Sequence, residues 1–279
     1  MRFGISTHLY HQERLTAGHL RELAEFGFTE VELFASMGHF DYRDQASGRE
    51  LAGWVRDAGL ALHSVHAPIV EYVRGPEWGP PLSIASADER ARAHAVGETV
   101  AALALARAVP FRYLVVHLGV PDTDGEAGSN SRAAAERSVA EVARAARAMG
   151  VLVALEVIPN ALSAPEVLAR WLEEGAEGVD GTFGICLDTG HAFLHGDLPD
   201  AIDLVSGELV TTHVHDNRGT ADDHLVPFEG SIDWPTAMMT FQKVGYDGVY
   251  VLELANTSTA HDVLQKTVDA RRRLAAIVA

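Results

Sequence analysis

Basic residues are scarce in this chain: 22 Lys and Arg stand against 39 Asp and Glu in 279 residues, a formal net charge of −17. Non-specific affinity for nucleic acid comes mostly from cations that displace phosphate counterions. So acidic a chain is not expected to have a nucleic-acid partner, although a local basic patch, or a small anionic substrate held by a metal, is not excluded. Cysteine is scarcer still. The one thiol, Cys186, lies inside an apolar run, which excludes an internal disulfide and reads as a buried side chain. No stretch reaches the ~18 uncharged apolar residues of a membrane span, so no membrane partner is expected. The opening MRFGISTHLY passes straight into a strand pattern, without the basic segment and apolar core of a secretory signal. A reducing cytoplasm is the expected location. There is also no glycine-rich phosphate cradle, low-complexity tail or linker, so residues 1–279 read as one domain.

Strand-like and helix-like segments alternate along the whole length. Strands are expected near 2–7, 30–35, 60–66, 111–117, 151–156, 182–188, 209–215 and 248–253. Helices are expected near 16–26, 48–58, 86–108, 131–149, 164–174, 198–206, 234–244 and 259–278. Eight βα units in that order predict an α/β protein with a parallel sheet, and the count of eight predicts closure into a single (β/α)8 TIM barrel, which typically takes roughly 250 residues. Gly27, Gly59, Gly150 and Gly245 each follow a helical pattern by a residue or two, where a left-handed C-cap is expected. The helix-to-strand links are therefore short. The links after strands, at 36–47, 67–85 and 118–130, are long, which marks the working face of a barrel. The segment GPEWGPP at 75–81 carries Trp78 among prolines and reads either as a lid or as a surface excursion.

Six of the apolar runs end on a metal-binding side chain: His66, His117, Glu156, Asp188, His213 and Glu253. In a closed parallel barrel these converge on one mouth. A carboxylate at the end of an interior strand must be paired, protonated or bound to a cation, because burying it alone is costly. Glu156, Asp188, His213 and Glu253 end four successive strands. This oxygen-and-nitrogen set suits Mn²⁺, Mg²⁺, Co²⁺ or Zn²⁺ and lacks the thiolates of a structural zinc site. Around it lie His191, three residues past Asp188; Asp222 and His224 in the next long loop; and His215, two residues beyond His213 on the same side of the strand. His8 and His11, after the first strand, are at most substrate contacts. His19, His39, His63, His94, His195 and His261 are left unassigned.

HAP at 66–68, VVHLG at 115–119, LEVIPN at 155–160, CLDTGHAF at 186–193, HVHDN at 213–217, DDHLVPFEGSIDW at 222–234 and LEL at 252–254 together resemble the xylose-isomerase-like TIM-barrel superfamily. That group includes sugar phosphate isomerases/epimerases, hydroxypyruvate isomerases, inosose dehydratases, ketose 3-epimerases and endonuclease IV. The resemblance covers essentially the whole chain. It implies that Glu156, Asp188, His213 and Glu253 hold one divalent metal, that the two glutamates also transfer protons, and that His191 contacts substrate. The endonuclease IV pattern asks for three zinc ions, with further ligands at His66, His117, His191, Asp222 and His224. All five are present, so donors for up to three ions are in place. Leu118 stands where the nuclease pattern usually has proline.

The expected activity is isomerisation or epimerisation of a sugar, sugar phosphate or related hydroxy-ketone through an enediolate. One of Glu156 and Glu253 would remove the proton and the other return it, with His191 beside them. His8, His66, His117, His215 and Arg218 are the expected substrate contacts, although Arg218 also reads as a loop cation paired with Asp222 or Asp223. Two alternatives stay open: a dehydratase or lyase acting on a keto-sugar or inosose, and an endonuclease IV-like phosphodiester hydrolase. Against the second stand the net charge and the long loops, where 36–47 offers only Arg43, 67–85 only Arg74 and 118–130 no cation. The partner is thus a small carbohydrate. The resembled enzymes are often dimers or tetramers, so a homo-oligomer is also expected.

Overall fold

The structure, a computed structural model, describes residues 1–122, 130–174, 183–256 and 258–279. Eight strands run parallel in one closed barrel: β1 (Arg2–Ser6), β2 (Glu30–Phe34), β3 (Ala61–His66), β6 (Tyr113–Val116), β7 (Leu152–Glu156), β8 (Phe183–Asp188), β9 (Leu209–Val214) and β10 (Val249–Leu252). Each neighbours the next in that order, and β10 closes on β1. The helices α1 (Ala17–Glu25), α2 (Gln45–Asp57), α3 (Glu89–Leu103), α4 (Arg132–Arg147), α5 (Pro165–Glu173), α7 (Leu198–Val205), α8 (Trp234–Lys243) and α9 (Ala260–Ile277) follow the strands. This is the (β/α)8 TIM barrel expected from the alternation. Gly27, Gly59, Gly150 and Gly245 have φ of +79°, +71°, +69° and +75°, so these four helix-to-strand links turn on a left-handed residue. Among the described residues no helix is long and apolar enough to cross a membrane.

The main apolar core lies between barrel and helices. Inside the barrel a separate small cluster of Val115, Ala154 and Cys186 is buried. Tyr113 and Val210 pack against it, and polar groups lie beside it, with His63 Nε2 3.0 Å from Thr211 Oγ1, and Ser64 Oγ donating to Glu32 Oε2 at 2.7 Å. Register sets the heights of the chemical groups. Glu156 pairs with Cys186, and Asp188 pairs with His213, so Glu156 sits one step below Asp188 on the same face.

Three features of the working face were not read from the sequence. A 3₁₀ turn, Thr7–Tyr10, follows β1 directly. A short helix, α6 (Thr189–His195), starts at once after β8; Asp188 is its N-cap, accepting from His191 N at 2.7 Å. In the 67–85 link, β4 (Val73–Arg74) and β5 (Glu77–Trp78) form an antiparallel hairpin, extended by backbone hydrogen bonds between Glu71 and Pro80 and between Ile69 and Leu82. The segment with Trp78 is therefore a hydrogen-bonded tongue. Most of the third long link, 118–130, lies outside the described residues.

The loop from β9 to α8 is organised by Asp216, which is fully buried. Its two oxygens accept from the backbone N–H groups of Asn217, Phe228 and Ile232 and from Trp234 Nε1, at 2.8 to 3.1 Å. Phe228 holds a left-handed φ of +78° within this arrangement, an unfavourable conformation for a bulky residue. Replacing Asp216 by Ala strands several buried donors, each costing about 1–3 kcal/mol. We expect Asp216→Ala to lower unfolding stability by at least about 3 kcal/mol, read as a lower urea midpoint. An unchanged midpoint would mean that the loop is held by other contacts.

Candidate metal centre

The ends of β7, β8, β9 and β10 bring Glu156, Asp188, His213 and Glu253 together, with one potential ligand atom from each within 4.8 Å of the others. His213 shows what this cluster requires. Its Nε2 lies 3.1 Å from Glu32 Oε2; an ionised carboxylate only accepts, so Nε2 carries the proton. Nδ1 then faces Glu156 Oε1 at 3.1 Å, Glu253 Oε2 at 3.3 Å and Asp188 Oδ2 at 3.9 Å. A neutral imidazole would present a lone pair to three carboxylates, so a cation must stand among them, either a second proton or a metal. Ligand atoms about 2.1 Å from a shared ion in tetrahedral array lie roughly 3.4 Å apart, close to the spacing found.

Two further donor groups adjoin this one. His66 Nε2 and His117 Nε2 lie 3.2 and 3.0 Å from Glu156 Oε2. Yet neither Glu156 Oε2 nor His117 Nε2 has a hydrogen-bond partner, because the approach is misaligned. Close, unaligned donor atoms suit a common ion. On the other side His191, His215, Asp222 and His224 form the second group. His191 and His224 each place Nε2 3.0 Å from Asp222 Oδ2, while their Nδ1 atoms lie 3.1 Å from Val157 O and 3.0 Å from Glu253 O. A carbonyl only accepts, so Nδ1 donates; Nε2 then faces a carboxylate that also only accepts, and a second proton or a metal ion must stand between them. His66 repeats the pattern, with Nδ1 2.8 Å from Ala67 O. His224 is held for this at a left-handed φ of +46°. The residues fit divalent metal on donor chemistry, unpartnered buried atoms and charge.

Above the donors opens a cavity of about 580 Å³. Glu253, His66, His117, His191, Asp222 and His224 form its polar floor, and its walls include Phe34, Ile69, Val70, Trp78 and Val120. His8 and His11 complete one side. Three residues expected to act on or touch the substrate do not line this cavity. Glu156 is fully buried beneath it, among His66, His117, His191 and His213. His215 is also fully buried, with Nε2 3.0 Å from Asp188 Oδ2, so it stands with the donors and not as a substrate contact. Arg218 does not line the cavity; it is 60% exposed and lies 3.4 Å from Asp223, the loop pairing that its position also suggested.

A family model described as Xylose isomerase-like TIM barrel matches residues 20–275. The chain belongs to that family. An uncharacterized protein of Methanocaldococcus jannaschii, MJ1311, is 27% identical over 265 residues, covering 93% of this chain and 86% of its own length. Among solved structures, a D-tagatose 3-epimerase-like protein superposes with a TM-score of 0.79 at 24% identity, covering all of both chains. An IolI protein with a bound zinc atom gives 0.77 at 16% identity, covering 99% of this chain and 98% of its own. At these identities the structural likenesses establish the fold of this family member.

Glu32 escaped the sequence reading. In EVELF it stands between Val31 and Leu33 on a strand covered on both faces, and a carboxylate there signals a buried partner. By fixing the proton of His213 on Nε2 it leaves Nδ1 to the donor cluster, the arrangement of a carboxylate behind a metal-binding imidazole. We expect Glu32→Gln to weaken binding of Mn²⁺ or Zn²⁺ by about 10–100-fold, measured by competition with a chromophoric chelator; unchanged affinity would remove Glu32 from this role.

Burial pushes His191 down, but Asp188 and Asp222 outweigh it and hold the imidazole well above 6.5. Burial likewise lowers His224, and Asp222 brings it up to about 9. A histidine raised in the folded state contributes stability that is fully present below the unfolded value near 6.5 and is lost as pH rises through the folded value near 9. In EDTA the thermal midpoint should therefore fall between about pH 6.5 and about pH 9. Metal displaces these protons, so its binding should tighten over the same rise and offset the fall. Identical pH slopes with and without metal would contradict this.

Proposed function

We propose that the protein is a divalent-metal-dependent isomerase or epimerase acting on a sugar or related hydroxy-ketone. The observation that carries this reading is Glu253: its carboxylate lines the cavity floor and lies 3.3 Å from His213 Nδ1, at the edge of the donor quartet. It can therefore touch a bound substrate and the metal-binding set at once. The similarity to a D-tagatose 3-epimerase-like protein supports the sugar assignment, and the zinc in the IolI protein supports a metal. Glu156, Asp188, His213 and Glu253 would hold the ion, with His66, His117, His191, His215, Asp222 and His224 offering donors for others. A bound divalent ion would act as Lewis acid on adjacent carbonyl and hydroxyl oxygens, acidifying the C–H between them.

In this scheme Glu253 removes the proton and the substrate passes through an enediolate. A return to the neighbouring carbon on the same face needs no second carboxylate, with the hydroxyl proton passing from one oxygen to the other. Inversion at the same carbon needs a group on the other face. Glu156, three strands round the barrel on β7, lies buried beneath the floor, so the group for that task would be His191, which lines the cavity and otherwise orients the oxygens.

The test is solvent-deuterium incorporation beside the carbonyl of a ketose panel, followed by NMR with Mn²⁺- or Co²⁺-loaded protein. We expect exchange in at least one ketose. Glu253→Gln should slow it by about 10³-fold or more while most metal is retained, whereas Glu156→Gln should reduce metal content as well. Exchange unaffected by Glu253→Gln would overturn the assignment. Convergence of the full donor set also favours a second reading, phosphodiester hydrolysis, since clustered metals generate hydroxide and stabilise a leaving oxygen. Nicking of plasmid containing abasic sites, with no exchange in any ketose, would establish that reading instead.

A further inference from the structure

Two imidazoles on the cavity wall, His8 and His11, have no carboxylate oxygen within ion-pair distance among the described residues. Both are nonetheless fixed. His8 Nδ1 lies 3.2 Å from Leu254 O, and His11 Nδ1 lies 2.7 Å from His8 O. Because a carbonyl can only accept, each Nδ1 donates, and each Nε2 is a lone pair with no hydrogen-bond partner among the described residues. The rings stack on one another with centroids 4.6 Å apart and planes 14° apart. Trp78 covers them, 5.1 Å from His11 and 6.4 Å from His8, and keeps 42% of its surface exposed at the mouth. Phe34 lies behind, 5.1 Å from His8.

No lysine or arginine lines the cavity among the described residues. Of the cations in the surrounding loops, Arg43 pairs with Glu98 at 2.6 Å, Arg74 lies over the Tyr72 ring at 4.5 Å and Arg218 pairs with Asp223 at 3.4 Å, while Arg14, three residues beyond His11, is exposed and does not line the cavity. The 118–130 loop has no cation in its sequence. A phosphate monoester brings about −1.5 to −2 charges and oxygens that only accept. A metal could neutralise such a group at the floor, but at the far wall it would meet imidazole lone pairs. Sugar hydroxyls donate to such lone pairs, and the C–H face of a sugar suits an aromatic surface.

We propose that the substrate is an uncharged, unphosphorylated polyhydroxy ketone or aldose whose non-reacting end lies on the Trp78–His11–His8 wall, its hydroxyls donating to His11 Nε2 and His8 Nε2. This rests on the isomerase or epimerase reading only in placing the reacting carbons at Glu253. His11 and Trp78 are then specificity-determining residues.

Calorimetric titration of the Mn²⁺-loaded protein with free ketoses and aldoses and with their phosphate esters tests this without requiring turnover. At least one free sugar should bind, and its terminal phosphate ester should bind about 100-fold more weakly or worse, because its buried acceptors stay unpaired. His11→Phe keeps the ring but removes the acceptor, and Trp78→Ala removes the platform. Each should weaken the free sugar about 10-fold, with metal content and circular dichroism unchanged. A deoxy analogue lacking the hydroxyl read by His11 should bind wild type and His11→Phe equally. Tighter binding of a phosphate ester, no binding of any free sugar, or indifference to both substitutions overturns the proposal. Binding of a free sugar without deuterium exchange would instead defeat the isomerase or epimerase reading and leave this wall intact.

Discussion

Five carboxylates, those of Glu32, Glu156, Asp188, Asp222 and Glu253, meet imidazoles whose other nitrogen is already fixed. His66, His191 and His224 donate Nδ1–H to backbone carbonyls, and His213 donates Nε2–H to Glu32. What remains at the centre is a set of acceptors turned toward one another, four of the carboxylates being almost wholly buried. Burial of that much negative charge is tenable only with cations among it. Five negative charges are matched by protons on several imidazoles or by two to three divalent ions, and the two compete for the same lone pairs.

The rest of the barrel serves this arrangement. Its interior adds to the apolar cluster of Val115, Ala154 and Cys186 a polar layer, in which Ser64 and Glu32 stand behind His213. Beyond the strand ends, α6 begins on Asp188 itself, so one carboxylate caps a helix, anchors His191 and faces His215. Gly190 is tied to the same packing: a Cβ there would come within 2.0 Å of the His215 ring. Asp216, in the middle of a motif crowded with metal-type residues, turns away from the donors and organises the following loop.

Much of the fold was legible because period and punctuation are local. Each expected strand lies within two residues of the observed one, and the four left-handed glycines fall where the helical pattern stopped. The strand-end donors were legible too, since a charged residue closing an apolar run is visible without coordinates. Glu32 was not, because it sits mid-strand and its partner is 181 residues away. Nor could the spacing of His213 and His215 distinguish a donor near the cavity from one sealed beneath it. Arg218 pairs with a near neighbour in its own loop, which short-range spacing suggested but did not decide.

By itself, then, the amino-acid order determined the eightfold alternation, the face on which the loops lengthen and the residue types able to bind a cation. Hydrophobic period, backbone conformation and charge are properties of short segments. Tertiary structure alone decided that Glu253 lines the cavity while Glu156 lies below it, that no cation among the described residues reaches the cavity, and that His8, His11 and Trp78 share one wall. Those relations depend on strand register and on hydrogen bonds between distant segments, which fix where each side chain's proton and lone pair point.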